Sequence, residues 1–370
     1  MMETNNNAVG AIESLMIEQG SCNLLFAFNL GFSVDLAKCN EIVSEPSQRQ
    51  TFSHSKRAPK YFEYNPPPLR IAQSAKEIPL KATGLSTRNE VEVTIYDFGV
   101  ISISYRIDLK CSLGKLVELS ESVYENDLVI EDAEKRARGL FDDIKAAINR
   151  PDFSIDWEDY VIFSVNQFNQ AINEAVLMEQ YGSTIGQILR CESEKFSDYQ
   201  LQDALSARVS YTPNDIALID WPSAFLYGND LSDVRAVLEF ANVELLEVRR
   251  QDNELDLALT NTYNTLNSGK LQETGLYKIA RLQVDCAMMY EGVNNSLKLL
   301  GDQYLARIYS LASKRFHLQE WDDNILRKLE TLNSIYTKIS DKAENQRSHV
   351  LELIIILLFL YEILSSAVFK

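Results

Sequence analysis

Hydrophobic and polar positions divide the chain into two stretches of different period. From Cys22 to Leu226 the apolar residues come in short runs bounded by turn residues. Cys22–Leu30 (CNLLFAFNL) suits a buried strand, and Ser33 is placed to cap a helix through Glu45. Val91–Tyr96 alternates and is rich in β-branched residues, and Val100–Ile107 resumes the pattern after Gly99. This predicts two strands around a turn or bulge at Asp97-Phe98-Gly99. Leu113–Tyr124 and Ile130–Ile148 read as helices, the second ending before Pro151. Asp159–Asn166 predicts another strand, Ile185–Arg190 and Asp198–Val209 short helices, and Ile216–Leu226 a strand and turn. Strands separated by helices predict an α+β domain over residues 22–228, of a mixed, ferredoxin-like kind, preceded by a poorly ordered stretch, residues 1–21.

Beyond Asn229 the period becomes helical. Leu231, Val234, Leu238, Ala241, Leu245, Val248, Leu255, Leu259 and Leu266 fit alternating steps of three and four, broken only at Asp252. That spacing predicts a long helix with a coiled-coil stripe. Similar series run from Ile279 to Leu311 and from Ile325 to Leu364. Three long helices over residues 229–349 either fold back as an antiparallel bundle or pair with a second copy, and periodicity does not separate the two. The end of the chain changes character: fourteen of the twenty residues from Val350 to Phe369 are Val, Leu, Ile or Phe. Twenty helical residues span about 30 Å, the thickness of a bilayer core. Residues 350–369 are therefore expected to form a C-terminal apolar helix. Leu353, Ile354, Ile355, Ile356, Leu357, Leu358, Phe359, Leu360, Ile363 and Leu364 would be its membrane-anchoring residues, and Glu352 and Glu362 its cost. Lys338, Lys342 and Arg347 precede it and only Lys370 follows, which puts the body of the protein in the cytoplasm.

Composition changes this picture in two places. The 370 residues carry 36 Lys plus Arg against 53 Asp plus Glu, a net charge of −17, which argues against a broad nucleic-acid surface. Yet Lys56, Arg57, Lys60, Arg70, Lys76, Lys81 and Arg88 crowd residues 54–88, with Tyr61, Phe62 and Tyr64 among them. Lys56, Arg57, Lys60 and Arg70 are thus candidates to grip RNA phosphates or a protein partner. The alternative is a solvated connection whose aromatics pack onto the domain, and no RNP-type or KH-type motif accompanies the patch. The mean hydropathy of −0.17 is that of an ordinary soluble chain and conceals the apolar end.

Chemistry is sparse. The five cysteines are scattered with none at C-x-x-C spacing, and the three histidines are unpaired, so neither a metal nor a disulfide framework is expected. No glycine-rich phosphate loop follows any strand, and no cofactor is expected. The acid pairs Asp142-Asp143 and Glu158-Asp159 read as solvated faces rather than general acids and bases. Met1–Asn7 carries an acid and no arginine, unlike a secretory signal or a transit peptide.

Short segments in a fixed order resemble a bacterial-type member of the "required for meiotic nuclear division" (sporulation-type) family, itself a domain of unknown function. They include Phe28–Leu36 (FNLGFSVDL), Asp97–Ile107 (DFGVISISYRI), Glu158–Phe163 (EDYVIF), Ser210–Trp221 (SYTPNDIALIDW) and Gly301–Trp321. The resemblance implies an α+β domain, long helices and a C-terminal membrane segment, and its eukaryotic members support mitochondrial translation at the inner membrane. It implies no catalytic residues.

Together these readings lead to a non-enzymatic, membrane-associated, homo-oligomeric scaffold that presents its α+β domain to a cytosolic protein partner. Asp215–Trp221 and residues 54–88 would be its contact surfaces. The alternative is an RNA- or ribosome-tethering factor using the basic stretch. A carboxylate-based hydrolase would need a pocket of convergent acids with raised pKa.

Overall fold

The computed structural model describes residues 15–43, 47–49, 66–80, 83–124, 126–154, 156–267, 277, 280–282, 284–288 and 303–368. The chain divides into two units, one of Met1–Arg249 with Met289–Gln319 and the other of Arg250–Met288 with Glu320–Lys370.

The first unit is α+β and is organised by one strand. Strand β1 (Ile17–Asn29) runs thirteen residues, so Ile17–Gly20 belong to it although that stretch reads as unstructured. It pairs antiparallel along one edge with β6 (Val100–Leu109) and along the other with β8 (Trp157–Phe168). Outward from β6 lie β5 (Glu90–Ile95), β4 (Leu69–Ser74) and β3 (Ser47–Arg49). On the other side, β11 (Ser223–Tyr227) pairs parallel with β8 and is followed by β10 (Ile216–Ile219) and β9 (Arg208–Val209). The result is a mixed nine-stranded sheet in the order β3-β4-β5-β6-β1-β8-β11-β10-β9. A ferredoxin-like sandwich, with its compact β-α-β-β-α-β repeat, does not describe it. A separate ribbon joins β2 (Gly31–Val34) to β7 (Ile148–Pro151).

Side chains alternate across the sheet, so its two faces have different chemistry. Cys22, Leu24, Phe26 and Phe28 of β1 share one face with Ile101, Ile103, Tyr105 and Ile107 of β6 and Val161, Phe163 and Val165 of β8. Helices α2 (Lys115–Val123), α3 (Asp127–Ile144) and α4 (Glu174–Arg190) supply the rest of that core through Leu116, Leu119, Val129, Ala133, Ala137, Leu177 and Ile185. The other face carries Ser21, Asn23, Thr94, Ser102 and Ser104 among its buried residues. Asn126, Asn173, Ser197 and Asp35 cap α3, α4, the short α5 (Asp198–Ala204) and the short α1 (Leu36–Ile42) with their side-chain oxygens. Ser33, read as a cap from the sequence, instead pairs with Asn149 in the ribbon.

Helix α6 (Ser232–Asn267) lies on the polar face of the sheet over its first half. There Ala236, Val237, Leu238, Phe240, Ala241, Val243, Leu245, Leu246 and Val248 are all buried, as are Glu239, Asn242, Glu244 and Glu247. A coiled-coil stripe would bury one seam and expose the rest, whereas this stretch is enclosed on every side. Phe240, Val243 and Leu246 pack with Ala27, Tyr96 and Val100 of the sheet, and Tyr309 of α7 (Gln303–Arg315) donates to Glu244 at 2.6 Å. The heptad reading is corrected accordingly.

The second unit is helical among its described residues. It holds the later part of α6 and most of α8 (Leu318–Val368), with Leu255, Cys286, Ile325 and Leu332 buried. Lys328 of α8 bridges Asp252 at 2.7 Å and Asp256 at 2.6 Å. The C-terminal membrane anchor is not supported: among the described residues no helix is long and apolar enough to cross a membrane. Between Glu352 and Glu362 the uninterrupted apolar run is nine residues. That is about 14 Å of helix, half a bilayer core. Leu353 to Phe359 stand exposed on α8, and the side chains of Leu360, Ile363 and Leu364 lie outside the described set. The membrane as a partner and the membrane-bound location fall with the anchor.

The turn between β5 and β6 falls at Asp97-Phe98-Gly99, where the sequence places it, and Gly99 holds φ +89°. A Cβ there would lie 2.0 Å from the carbonyl oxygen of Gly31, so Gly99→Ala should destabilise the protein by about 2–4 kcal/mol. Gly139 on α3 faces open space, and Gly139→Ala should instead add about 1 kcal/mol. Urea midpoints of the two variants, moving in opposite directions from wild type, check both.

Candidate functional site

On its polar side the sheet opens into a cleft of about 370 Å³ where four arginines converge. Strand pairing puts them there. Arg70 lies on β4, Arg106 on β6 opposite Asn23 of β1, and Ser104 opposite both Glu92 of β5 and Leu25 of β1. Arg88 enters just before β5, its N–H donating to the carbonyl of Arg106 at 2.7 Å. Arg235 comes from the first turns of α6. Glu90, Ile71 and Ala72 complete the lining.

Three of the arginines already hold carboxylates. Arg70 donates to Glu92 at 2.5 Å and lies 3.6 Å from Glu239. Burial pushes its guanidinium pKa down, but Glu239 and Glu92 outweigh that and push it up. Arg88 grips Asp108 with two hydrogen bonds of 2.7 and 2.8 Å, and Arg106 adds a third at 3.3 Å. Burial raises the Asp108 carboxyl, yet those arginines hold it below the usual carboxylate range.

Arg235 differs. It makes no ion pair among the described residues; its guanidinium donates to Asn23 Oδ1 at 3.2 Å, and its buried Nε has no acceptor. Burial pulls its pKa down, and the positive charge of Arg106 pulls further, against partial compensation by Glu92 and Glu239. Asn23 is fixed in turn by Ser21, which donates to the same oxygen at 3.2 Å. A half-buried guanidinium with other guanidiniums and two carboxylates nearby, and no direct ion pair among the described residues, leaves hydrogen-bonding capacity that an acceptor could use.

A second chamber of about 170 Å³ shares Asn23, Arg70, Glu92, Ser104 and Arg235 with the first. It continues between the sheet and α6, past Leu25, Ile162, Ser232, Asp233, Ala236 and Glu239.

Of the basic residues singled out in the sequence, Arg70 and Arg88 reach this cleft; Lys56, Arg57 and Lys60 lie outside the described residues. Asp215–Trp221 is not an open surface. Ile216–Ile219 form a fully buried strand, the Asp215 carboxylate accepts from the N–H groups of Tyr211 and Thr212, and Trp221 stands half exposed beside Phe316 and His317. Asp142-Asp143 is exposed on α3. All five thiols are buried, and burial pushes each one up, Cys39 to about 11 and Cys191 and Cys286 to about 12. They are protonated near neutral pH and poor nucleophiles. Among the described residues no group of His, Cys, Asp and Glu is arranged to hold a metal ion.

Residues 19–233 match the family model described as "Uncharacterized protein MJ0711, N-terminal domain". The chain belongs to that family. One relative, "Uncharacterized protein MJ0711" of Methanocaldococcus jannaschii, is 22% identical over 267 residues, which cover 67% of this chain and 81% of that protein. No solved structure matches the chain. The resemblance to the "required for meiotic nuclear division" and sporulation-type family is thereby overturned, since the matching family and its archaeal relative carry no link to either process. The segments behind that resemblance are mostly short buried strands and helix turns, whose composition recurs in many α+β chains. Within the family, the matched region includes every cleft residue of the sheet, while Arg235 and Glu239 stand just beyond its end.

Glu158 is strongly altered by its surroundings. It pairs with Arg249 about 21 Å along α6 from Arg235, and its backbone carbonyl accepts from Asn242 at 3.3 Å. Burial raises its carboxyl from 4.5 to about 7 against the pull of Arg249. Between those values the folded protein keeps a proton that the unfolded chain releases, so stability falls as pH rises through the window. Glu158→Gln should remove that dependence. Wild type should lose roughly 3 kcal/mol relative to the variant between pH 4 and pH 8, measured by urea unfolding at each pH.

Proposed function

We propose that the protein is a non-enzymatic binding protein whose α+β unit captures an anionic group, best a phosphate, in the arginine-lined cleft. Arg235 carries this reading: it is a half-buried cation with no acid in contact and an unused donor. Around it, Arg70, Arg88 and Arg106, each already holding a carboxylate, add further N–H groups to the lining, and the Ser104 hydroxyl offers another donor. A tetrahedral anion accepts hydrogen bonds on several sides at once, which suits donors arriving from β1, β4, β6 and α6 better than a planar carboxylate. A volume of about 370 Å³ is at the lower end of small-molecule sites.

Arg70 belongs to the floor of this cleft rather than to an outer basic face, which favours a small ligand over a nucleic-acid strand. Pyrophosphate should raise the melting temperature of wild type beyond the effect of sulfate-free salt at equal ionic strength. At a hundred times Kd the expected gain is about 2.7 kcal/mol. Arg235→Ala should abolish the gain while leaving the fold intact by circular dichroism. An equal gain in the variant, no gain in wild type, or displacement of pyrophosphate by homopolymeric RNA each overturns the reading.

A further inference from the structure

The second chamber asks for something other than an anion. Glu239 of α6 is 7% exposed, and one of its carboxylate oxygens lies 3.6 Å from Arg70. The other, Oε1, is buried with no hydrogen-bond donor among the described residues. An unsatisfied buried carboxylate oxygen is costly, and a ligand that brings a donor removes the cost. Asp233 and the Ser232 hydroxyl line the same chamber, while Leu25, Ile162 and Ala236 give it apolar walls.

The orphan acceptor at Glu239 and the orphan donor at Arg235 belong to one continuous space, because Arg235, Asn23, Arg70, Glu92 and Ser104 line both chambers. We infer that the ligand is a small amine-bearing phosphate, with its phosphate at Arg235 and an N–H group donating to Glu239. This rests on the reading of the outer cleft as an anion site. The two ends of the chamber pair then satisfy opposite needs: an acceptor-rich group meets guanidiniums, and a donor group meets carboxylates. A ligand with phosphate alone would bring no donor to the Glu239 side of the chamber, and a simple amine would bring no acceptor to the Arg235 side.

An alkylamine and an amino-substituted base both supply such an amine, and two probe pairs separate these sources. O-Phosphoethanolamine is compared with ethyl phosphate, and adenosine monophosphate with purine riboside monophosphate, which has hydrogen in place of the amino group, by isothermal titration on the full chain. In at least one pair the amino compound should bind tenfold or more tightly than its control, and that pair identifies the source. Glu239→Gln should reduce the preference to threefold or less without weakening the control. Should Glu239→Gln fail to fold, Glu239→Asp, which keeps the charge but withdraws the carboxylate, should reduce the preference in the same direction. If pyrophosphate binds and needs Arg235 but neither amino compound is preferred, this inference fails and the anion reading stands. If neither pyrophosphate nor any of the four compounds binds, both fail together.

Discussion

Strand β1 is hydrogen-bonded along both edges and buried over nearly all its length, and the rest of the first unit depends on its register. Its partners meet it residue by residue, Phe26 opposite Ile103 and Asp159, Asn23 opposite Arg106 and Ile162. Because side chains alternate, a slip of one residue would exchange the two faces. Phe26 and Phe28 would leave the apolar core, where each buried aromatic contributes about 1.5–3 kcal/mol. Asn23 and Ser21 would enter it unpaired. The apolar face therefore enforces the register that aligns Asn23, Ser104 and Arg106 on the opposite face, and the cleft is positioned by the core it does not belong to.

That opposite face explains why α6 carries so many buried polar residues. A helix packed on an apolar sheet needs only an apolar stripe, but this one meets serine, threonine, asparagine and arginine side chains. Glu239 faces Arg70, Asn242 donates to the Glu158 carbonyl, and Glu244 accepts from Tyr309. Phe240, Val243 and Leu246, interleaved with them, close on the short apolar end of the same face. The helix is thus held by alternating kinds of contact, and Arg235 near its start is the position where the polar partner is left open.

Most strands of the apolar core were legible in the sequence because their short runs had turn residues around them and β-branched residues within, whereas β4, which adds Leu69 and Ile71 to that core, was hidden in the basic stretch. The turn at Gly99 was legible too, since a glycine between two strand patterns signals positive φ. Helix α4 was read as little more than its last two turns, because Glu174–Gln180 mixes polar and apolar residues too evenly to show a stripe. The character of α6 was hidden for a different reason: a three-four apolar spacing fits a coiled coil and an enclosed helix equally well, and only the acids between the apolar positions differ in fate. Of the cleft, Arg70 and Arg88 stood out in a basic stretch. Arg106 and Asn23 carried a weaker signal, polar residues at every second position of strands that are apolar between them. Arg235 had none, for its place beside the other arginines, with Glu92 and Glu239 near but no acid in direct contact, is set by three-dimensional packing.

The cleft also resolves the tension between a net charge of −17 and an anion site. Exposed charges more than about 8 Å apart are screened at physiological ionic strength, so the acidic surface acts on whatever stays outside and little on what sits within. A long polyanion would keep most of its phosphates over that acidic surface, where repulsion accumulates with each one. In the proposed function a small ligand would place its phosphate among Arg70, Arg88, Arg106 and Arg235, in a partly buried setting where charges are weakly screened. The same imbalance that weakens nucleic-acid binding leaves the cleft untouched, and selects by size as well as by charge. Under the proposed function, an acidic body with a recessed group of arginines would take a small anion in preference to a chain of them.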